Sequence, residues 1–385
     1  MNILNSSSSC VPWWPIAEAM NELRVGVIGT NPWAELVHYS AIAAHPRASL
    51  AAVCGRNPER AQEVADKYGA PEIYQDYKKM IDSGHLDAVI VVAPDDLHHA
   101  MVMRALEADL HVVCEKPLAL SVSEATEMTE TADERGLKNM MFFTQRWFPQ
   151  RRYARDLIEE GCVGAVLDAH FQLQAGFGRD LPSLPPWTYD PARCHGILGT
   201  LASHIIDHAR LFVGEIDRVC ASIKTQVPQG TDPGLSVRPN NAVLLMLEFT
   251  NGAHGTIHVS DVALAGTDVQ FTMTLHGEDG AIEGSVCASG QDRLQYMTAG
   301  HASFEDREVP DHYWEGIDRD KPFHEQLVQI FSRPSVGDGL FINSVLDDGP
   351  VCPTFSDGLA VQRVIHAALL SDQEKRWVDI APSLE

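Results

Sequence analysis

LDAVIVVAPDDLHHAMVMRALEADLHVVCEKP, residues 86–117, decides the fold of this chain. Leu86 to Val92 is an almost unbroken Val/Ile run, the pattern of a strand covered on both faces. Leu97 to Ala108 reads as a helix, and His111 to Cys114 as a second strand ending on Glu115-Lys116-Pro117. Strand, helix and strand in this order form a βαβ unit, and such units build a parallel sheet.

The same alternation extends in both directions. Upstream, Leu23 to Ile28 predicts a buried strand, followed by a glycine turn and a helix running to about His45. Ser49 to Cys54 predicts the next strand, and Pro58 to Tyr68 an amphipathic helix closed by Gly69. Downstream, Ser121 and Glu124 make a capping box for a helix that stops near Gly136, and Asn139 to Thr144 is a further strand. Residues 23–145 are therefore expected to form a doubly wound α/β domain.

Beyond a helix from about Pro149 to Gly161, the period changes to two. Ala242 to Phe249 and Ala253 to Val259 flank Thr250-Asn251-Gly252, and Asn-Gly is a strong hairpin signal. Glu278-Asp279-Gly280 marks another turn, and a helix from about Ser356 to Leu370 closes the chain. Residues 146–385 are read as a second, α+β domain with a mostly antiparallel sheet. Residues 1–22, with four serines and Trp13-Trp14-Pro15, are read as an N-terminal arm.

The 385 residues carry 45% hydrophobic and 21% charged side chains, ordinary for a globular protein of two domains. The formal charge of −24 would repel nucleic acid and anionic membrane, so neither is expected as a partner. No run of eighteen apolar residues is long enough to span a bilayer. The eight cysteines are scattered and form no C-x-x-C pair, which predicts a reducing compartment and a cytoplasmic protein. A G-x-S-x-G nucleophile elbow and a phosphate-binding Walker pattern are both absent.

Gly26 and Gly29 lie on the first strand-to-helix turn, where a dinucleotide's pyrophosphate meets a helix N-terminus. The fingerprint is incomplete, because Asn31 stands at the second glycine position and Ala34 at the third. Asn tolerates positive φ, so the turn is still expected to form. At the end of the second strand, where NAD-selective sites carry an acid, the chain reads Cys54-Gly55-Arg56-Asn57. A guanidinium there can pair with a 2′-phosphate, so Arg56 predicts a preference for NADP over NAD, beside the alternative of an ordinary solvated loop arginine. Lys116, at the carboxyl end of a parallel strand, is placed to polarise a hydroxyl or carbonyl.

Further motifs stand in order along the chain: Val91-Val92-Ala93-Pro94-Asp95-Asp96-Leu97-His98, then His111 to Ala119, and Gln145-Arg146-Trp147-Phe148-Pro149. After them come Gly196 to Asp207 and Phe355-Ser356-Asp357-Gly358 with Arg376-Trp377-Val378. With these motifs, Leu23 to Ile380 resembles the glucose-fructose oxidoreductase / inositol dehydrogenase / rhizopine-catabolism (Gfo/Idh/MocA) family. The resemblance implies a Rossmann domain, an open-faced sheet domain, NAD(P) between them and hydride exchange with a sugar or cyclitol. It also implies a homodimer or homotetramer paired through the open sheet.

By motif position Lys116 would serve both cofactor and substrate, and His204 would be the acid/base. The cofactor would meet Gly29, Thr30, Asn31, Trp33 and Arg56 on one side. Pro94, His98, Glu115 and Lys116 would meet it on the other. Arg146, Trp187 and Thr200 are candidate substrate contacts, beside the alternatives of a structural salt bridge for Arg146 and plain packing for Trp187. His98 carries the alternative of capping or packing. The helical pair His204 and His208 has zinc-like spacing but lacks the acid of H-E-x-x-H, so no metal is expected.

One departure bears on the chemistry. The family's D-x-G-x-H run places an Asp four residues before the histidine, where this chain has Thr200, with Ala202 for the glycine. Two other readings therefore accompany the dehydrogenase: a catalytically weak sensor of nucleotide and sugar, and an eliminase or glycosidase that uses retained NAD(P) in a transient redox cycle.

Overall fold

The computed structural model describes residues 22–179, 185–226, 239–263, 269–287, 292–301 and 303–380. The arm with Trp13 and Trp14 lies outside the described residues.

The first layer opens with β1 (Leu23–Ile28). A continuous helical run follows: α1 (Pro32–Ala34), a π-helical turn Glu35–Tyr39, and α2 (Ser40–Ala44). Next come β2 (Ala48–Cys54), α3 (Pro58–Tyr68), β3 (Glu72–Tyr74), α4 (Tyr77–Ile81) and β4 (Ala88–Val91). A 3-10 turn Asp95–Leu97 leads into α5 (His98–Glu107), then β5 (His111–Glu115), α6 (Val122–Glu134) and β6 (Asn139–Phe142). Local chemistry sets these boundaries. Asn57 caps α3 and Gly69 ends it at φ 76°, while Ser121 and Glu124 form the capping box of α6. The six strands pair in parallel in the order β3-β2-β1-β4-β5-β6, which puts the switch point between β1 and β4.

A linking helix, α7 (Pro149–Glu159), leads to β7 (Val166–Ala175). A π-helical turn Leu198–Ala202 runs into α8 (Ser203–Phe212). The second sheet then adds β8 (Ile216–Lys224), β9 (Ala242–Phe249), β10 (His254–Ser260), β11 (Val269–Gly277), β12 (Gly280–Cys287), β13 (Arg293–Thr298) and β14 (Glu305–Asp306). The chain closes with α9 (Phe323–Phe331), α10 (Gly337–Leu346), α11 (Phe355–Glu374) and β15 (Val378–Asp379). The nine strands run β14-β13-β12-β11-β7-β10-β9-β8-β15, all antiparallel except the β7–β10 pair. The Asn-Gly hairpin joins β9 to β10 with Ala242 opposite Ser260.

Two cores hold the site in place. One extends from β4 and β5 through α6 and α11 to the inner face of the second sheet, and it includes Met141, Phe143, Ile205, Phe271 and Phe355. In the other, α9 and α10 return to the first domain, where Leu327, Phe331 and Phe341 pack with Tyr39 and Phe142. Phe142 and Phe331 have ring centroids 5.7 Å apart. Each such buried side chain contributes about 1.5–3 kcal/mol. Residues far along the chain thereby buttress the helix that follows β1.

Candidate active site

β4 and β5 lie side by side, with Val91 opposite Cys114, and both end at one edge of the sheet. Pro94 and Asp95 follow the first, and Lys116 and Pro117 the second. Asp95 is 4% exposed, and its Oδ2 has no hydrogen-bond partner among the described residues. Burial drives its carboxyl up to about 7, with the charge of Lys116 opposing and that of Asp96 adding to the rise. Asp96 itself faces away into an ion pair with Arg193. The second domain closes over Asp95 through the π-helical turn: a Cβ on Gly199 would stand 3.7 Å from Pro117 Cγ and 3.8 Å from Asp95 Oδ2.

Glu115 sits behind Lys116. It accepts hydrogen bonds from Trp33 Nε1 at 2.6 Å and from the Lys116 backbone N–H at 3.1 Å. His38, on the π-helical turn, is fully buried 3.4 Å from Glu115 and 2.8 Å from Asp338 of α10. Burial alone would deprotonate His38, but the two carboxylates outweigh it and hold the imidazole up at about 9. Burial likewise works to raise Glu115, yet His38, Lys116 and Trp33 hold it down at about 2. Trp33 and the end of β5 are thus tied through a charged, dry contact to α10. Nothing in the sequence marks His38 or Asp338 as part of a site. Only Asp95 had a signal, as an acid at the end of a parallel strand.

His204 enters from α8 on the other side of the cleft. It is 5% exposed, its Nδ1 has no hydrogen-bond partner among the described residues, and its ring meets the edge of Phe143 at 6.0 Å. Burial, together with the charges of Lys116 and Arg151, pushes its imidazole down to about 3. It is neutral, as a base must be, but its protonated form is strongly disfavoured. Thr200 is half-buried, and its hydroxyl donates to the Gly196 carbonyl at 2.9 Å, leaving it free only to accept from a substrate.

Gly29 makes the sharp turn at the end of β1, with φ 129°; a Cβ there would lie 2.2 Å from the Val92 carbonyl oxygen. Asn31 does not take the positive φ expected of it. At φ −77° it caps the helix, accepting from the Ala34 N–H and donating to the Val92 carbonyl. A Cβ on Gly55 would stand 2.7 Å from Thr30, so β1 and β2 meet closely where they end. Arg56 is exposed there with no ion-pair partner among the described residues, whereas Arg60 is held by Glu35 and the Thr30 carbonyl.

Two candidates are engaged within the protein. Arg146 is held by carboxylates: its Nε and Nη2 donate to Asp207 at 2.7 and 2.6 Å, and Nη2 also to Asp357 at 2.9 Å. It is the structural salt bridge that joins the end of β6 to α8 and α11. His98 takes the packing alternative. It is fully buried, with its ring nitrogens 2.7 Å from the Pro117 carbonyl oxygen and 2.9 Å from that of Ala93. It holds the two strand-end loops together. Trp187 is half-buried on a 3-10 turn, Pro186–Tyr189, and no hydrogen bond or ring contact ties it to Lys116 or His204. Among the described residues, no group of three His, Cys, Asp or Glu side chains is arranged to hold a metal.

Comparison with known proteins bears on this arrangement. Residues 23–143 match an oxidoreductase family with an NAD-binding Rossmann fold, and residues 151–283 match the GFO/IDH/MocA C-terminal domain. The chain is 28% identical to levoglucosan dehydrogenase of Pseudarthrobacter phenanthrenivorans, over 94% of this chain and 99% of that one. It is 26% identical to inositol 2-dehydrogenase of Rhizobium meliloti, over 93% and 99% respectively. The structure of levoglucosan dehydrogenase in complex with NADH and levoglucosan superposes with a TM-score of 0.83, at 27% identity, covering 94% of this chain and all of that one (100%).

Proposed function

This chain belongs to the Gfo/Idh/MocA oxidoreductase family, and from that premise we propose that it is an NAD(P)-dependent dehydrogenase of a sugar, sugar derivative or cyclitol. The observation that carries this is that Asp95 after β4 and Lys116 after β5 stand at one sheet edge, faced by Gly199 of the π-helical turn that leads into α8 and His204, beside a β1 turn too close-packed at Gly29 for any side chain. When bound, the nicotinamide takes or returns the hydride of the substrate's carbinol carbon. The pyrophosphate would lie on the turn from Gly29 to Asn31. Trp33, fixed by Glu115, would flank the cofactor. Lys116 holds the reacting oxygen and stabilises the negative charge that develops on it. His204 supplies a neutral imidazole from the facing domain.

NADP is the expected preference, since Arg56 is exposed with no ion-pair partner among the described residues, while no acid stands at the end of β2. A relative at 31% identity over 54% of this chain, from Haloferax volcanii, carries the name D-xylose 1-dehydrogenase (NADP(+)) 2. Assembly into a homodimer or homotetramer is expected through the outer face of the second sheet, where Leu244 and Met246 are 48% and 44% exposed. Among the described residues no helix is long and apolar enough to cross a membrane.

The test is cofactor reduction across a panel of sugars and cyclitols with NADP⁺ and NAD⁺. Stoichiometric reduction with one substrate supports the reading. Product formed without net reduction, or nucleotide and sugar binding without turnover, overturns it in favour of a transient-redox enzyme or a sensor.

A further inference from the structure

Arg151 of α7 is an interior guanidinium without a counterion. It is 3% exposed, and its Nε and Nη1 find no hydrogen-bond partner among the described residues. Its guanidinium carbon stands 4.2 Å from the ring centre of Phe271 on β11 and 5.1 Å from that of Phe148. The ring of His208 lies 5.4 Å from the same Phe271, and His208 shares a face of α8 with His204, one turn away. Burial holds His208 well below its ordinary value, with the Arg151 charge adding to the fall and the Gln145 backbone opposing it, so the imidazole is neutral. The acids of this region are engaged elsewhere. Asp207 and Asp357 close on Arg146, and Asp292 accepts from Gln150. The charge of Asp292 reaches Arg151, yet burial outweighs it and brings the guanidinium down to about 9. Two aromatic faces offset only part of what burying an ion costs. A cavity of about 400 Å³, bordered by Phe148, Gln150 and Asp292, brings a solute within one side chain of the guanidinium.

We propose that Arg151 receives an acid group of the substrate, a carboxylate or phosphate, so that the sugar bound here is an anionic one. The proposal rests on the dehydrogenase reading and names its substrate class. A planar guanidinium with free donors is the side chain that best matches a carboxylate or phosphate, and a neutral His208 has one more N–H to give. The anion supplies the counterion that the fold omits. Four residues of α8 separate His208 from His204, about 6 Å along the axis. The acid group therefore lies a few carbon–carbon bonds from a carbinol that meets His204. A neutral sugar leaves the buried cation unpaired, so the site discriminates against it by the penalty it fails to relieve. Arg151 selects the substrate and takes no part in hydride transfer.

The test needs no turnover. Calorimetric titration of the full chain compares D-glucuronate, D-gluconate and D-glucose 6-phosphate with neutral D-glucose and with inorganic phosphate. Wild type is set beside Arg151→Met, which fills similar apolar space without the charge, and Arg151→Lys, which keeps the charge and loses the fork. At least one of the sugar acids should bind wild type about tenfold or more tighter than D-glucose. That preference should vanish in Arg151→Met and survive in part in Arg151→Lys. Arg151→Met sheds an unpaired buried cation, so without ligand it should melt at or above the wild-type temperature. A lower melting temperature would make Arg151 structural and overturn the proposal. So would wild type that prefers none of the acids, or a preference that persists in Arg151→Met. Phosphate held through Arg151 but not displaced by any sugar acid would assign the site to a free anion, and overturns the substrate role. Sugar acids bound through Arg151 without reduction of either cofactor sink the dehydrogenase reading and leave the anion site standing.

Discussion

His38 and Asp338, three hundred positions apart in sequence, meet at 2.8 Å with both side chains fully buried. The contact is a joint between the helix after β1 and the returning helix α10, and Glu115 completes it on the strand that presents Lys116. Removing one partner of a buried charged pair leaves the other uncompensated, which costs about 3–5 kcal/mol. Asp338→Asn is therefore expected to lower unfolding free energy by that amount in urea titrations at neutral pH. An unchanged midpoint would refute the joint.

The same joint gives stability a pH dependence. His38 binds its proton more tightly folded, at about 9, than unfolded, near the ordinary 6.5. Its contribution is complete below pH 6.5 and is lost as pH rises through 9, about 3 kcal/mol for the difference. Urea titrations should show wild type losing more stability than Asp338→Asn between pH 7 and 10. Parallel losses in the two proteins would assign the change to other groups.

Much of this was legible in the sequence, and the rest was not, for identifiable reasons. The strands β1, β2, β4 and β5 are buried on both faces and write themselves as apolar runs, and Gly69, Ser121 and Asn251 mark their own turns and caps. Lys116 was found because its motif and its strand end coincide. The long strands β7 and β8 escaped notice because half of their residues face outward with mixed polarity, and α9 and α10 because nothing local says that they return to the first sheet. His38 is an unremarkable helical histidine until Asp338 arrives. Arg146 reads as a site residue until Asp207 and Asp357 enclose it.

Lys116→Ala should abolish most hydride transfer, by about 100-fold or more in kcat, while leaving nucleotide binding measurable by calorimetry. On the proposed reading the lysine would act on the reacting oxygen, whereas the β1 turn and the end of β2 would hold the rest of the cofactor. Full activity in this variant would remove Lys116 from the chemistry.

Arg56→Ser should lower kcat/KM for NADP⁺ about 10- to 100-fold, the worth of a charge-assisted hydrogen bond or two, and leave NAD⁺ little changed. The side chain is exposed and has no ion-pair partner among the described residues, so its loss breaks no ion pair there. An unchanged ratio between the cofactors would show that Arg56 is only a solvated loop residue.

Arg146→Ala is expected to act on folding and not on substrate binding. The guanidinium closes two carboxylates, Asp207 and Asp357, of which Asp207 is fully buried and already raised by desolvation against the pull of Arg146. Leaving Asp207 alone should cost about 3–5 kcal/mol, read as a fall in melting temperature. The folded fraction should keep an unchanged KM. A raised KM at full stability would return Arg146 to the substrate site.

Thr200→Asp restores the acid that this chain lacks, one helical turn before His204. An opposite charge in contact raises a histidine by about 1–3 units, so the His204 imidazole should climb from about 3 toward its ordinary range in proton NMR titrations. The substitution loses the hydroxyl bond to Gly196, at about 1 kcal/mol. A more basic His204 accepts the substrate's proton more readily, so Thr200→Asp should raise kcat at least about tenfold. A gain would mean that the acid missing at Thr200 limits proton transfer to His204. An unmoved His204 and no gain would mean that Thr200 does not face the imidazole, and that His204 serves only to shape the site.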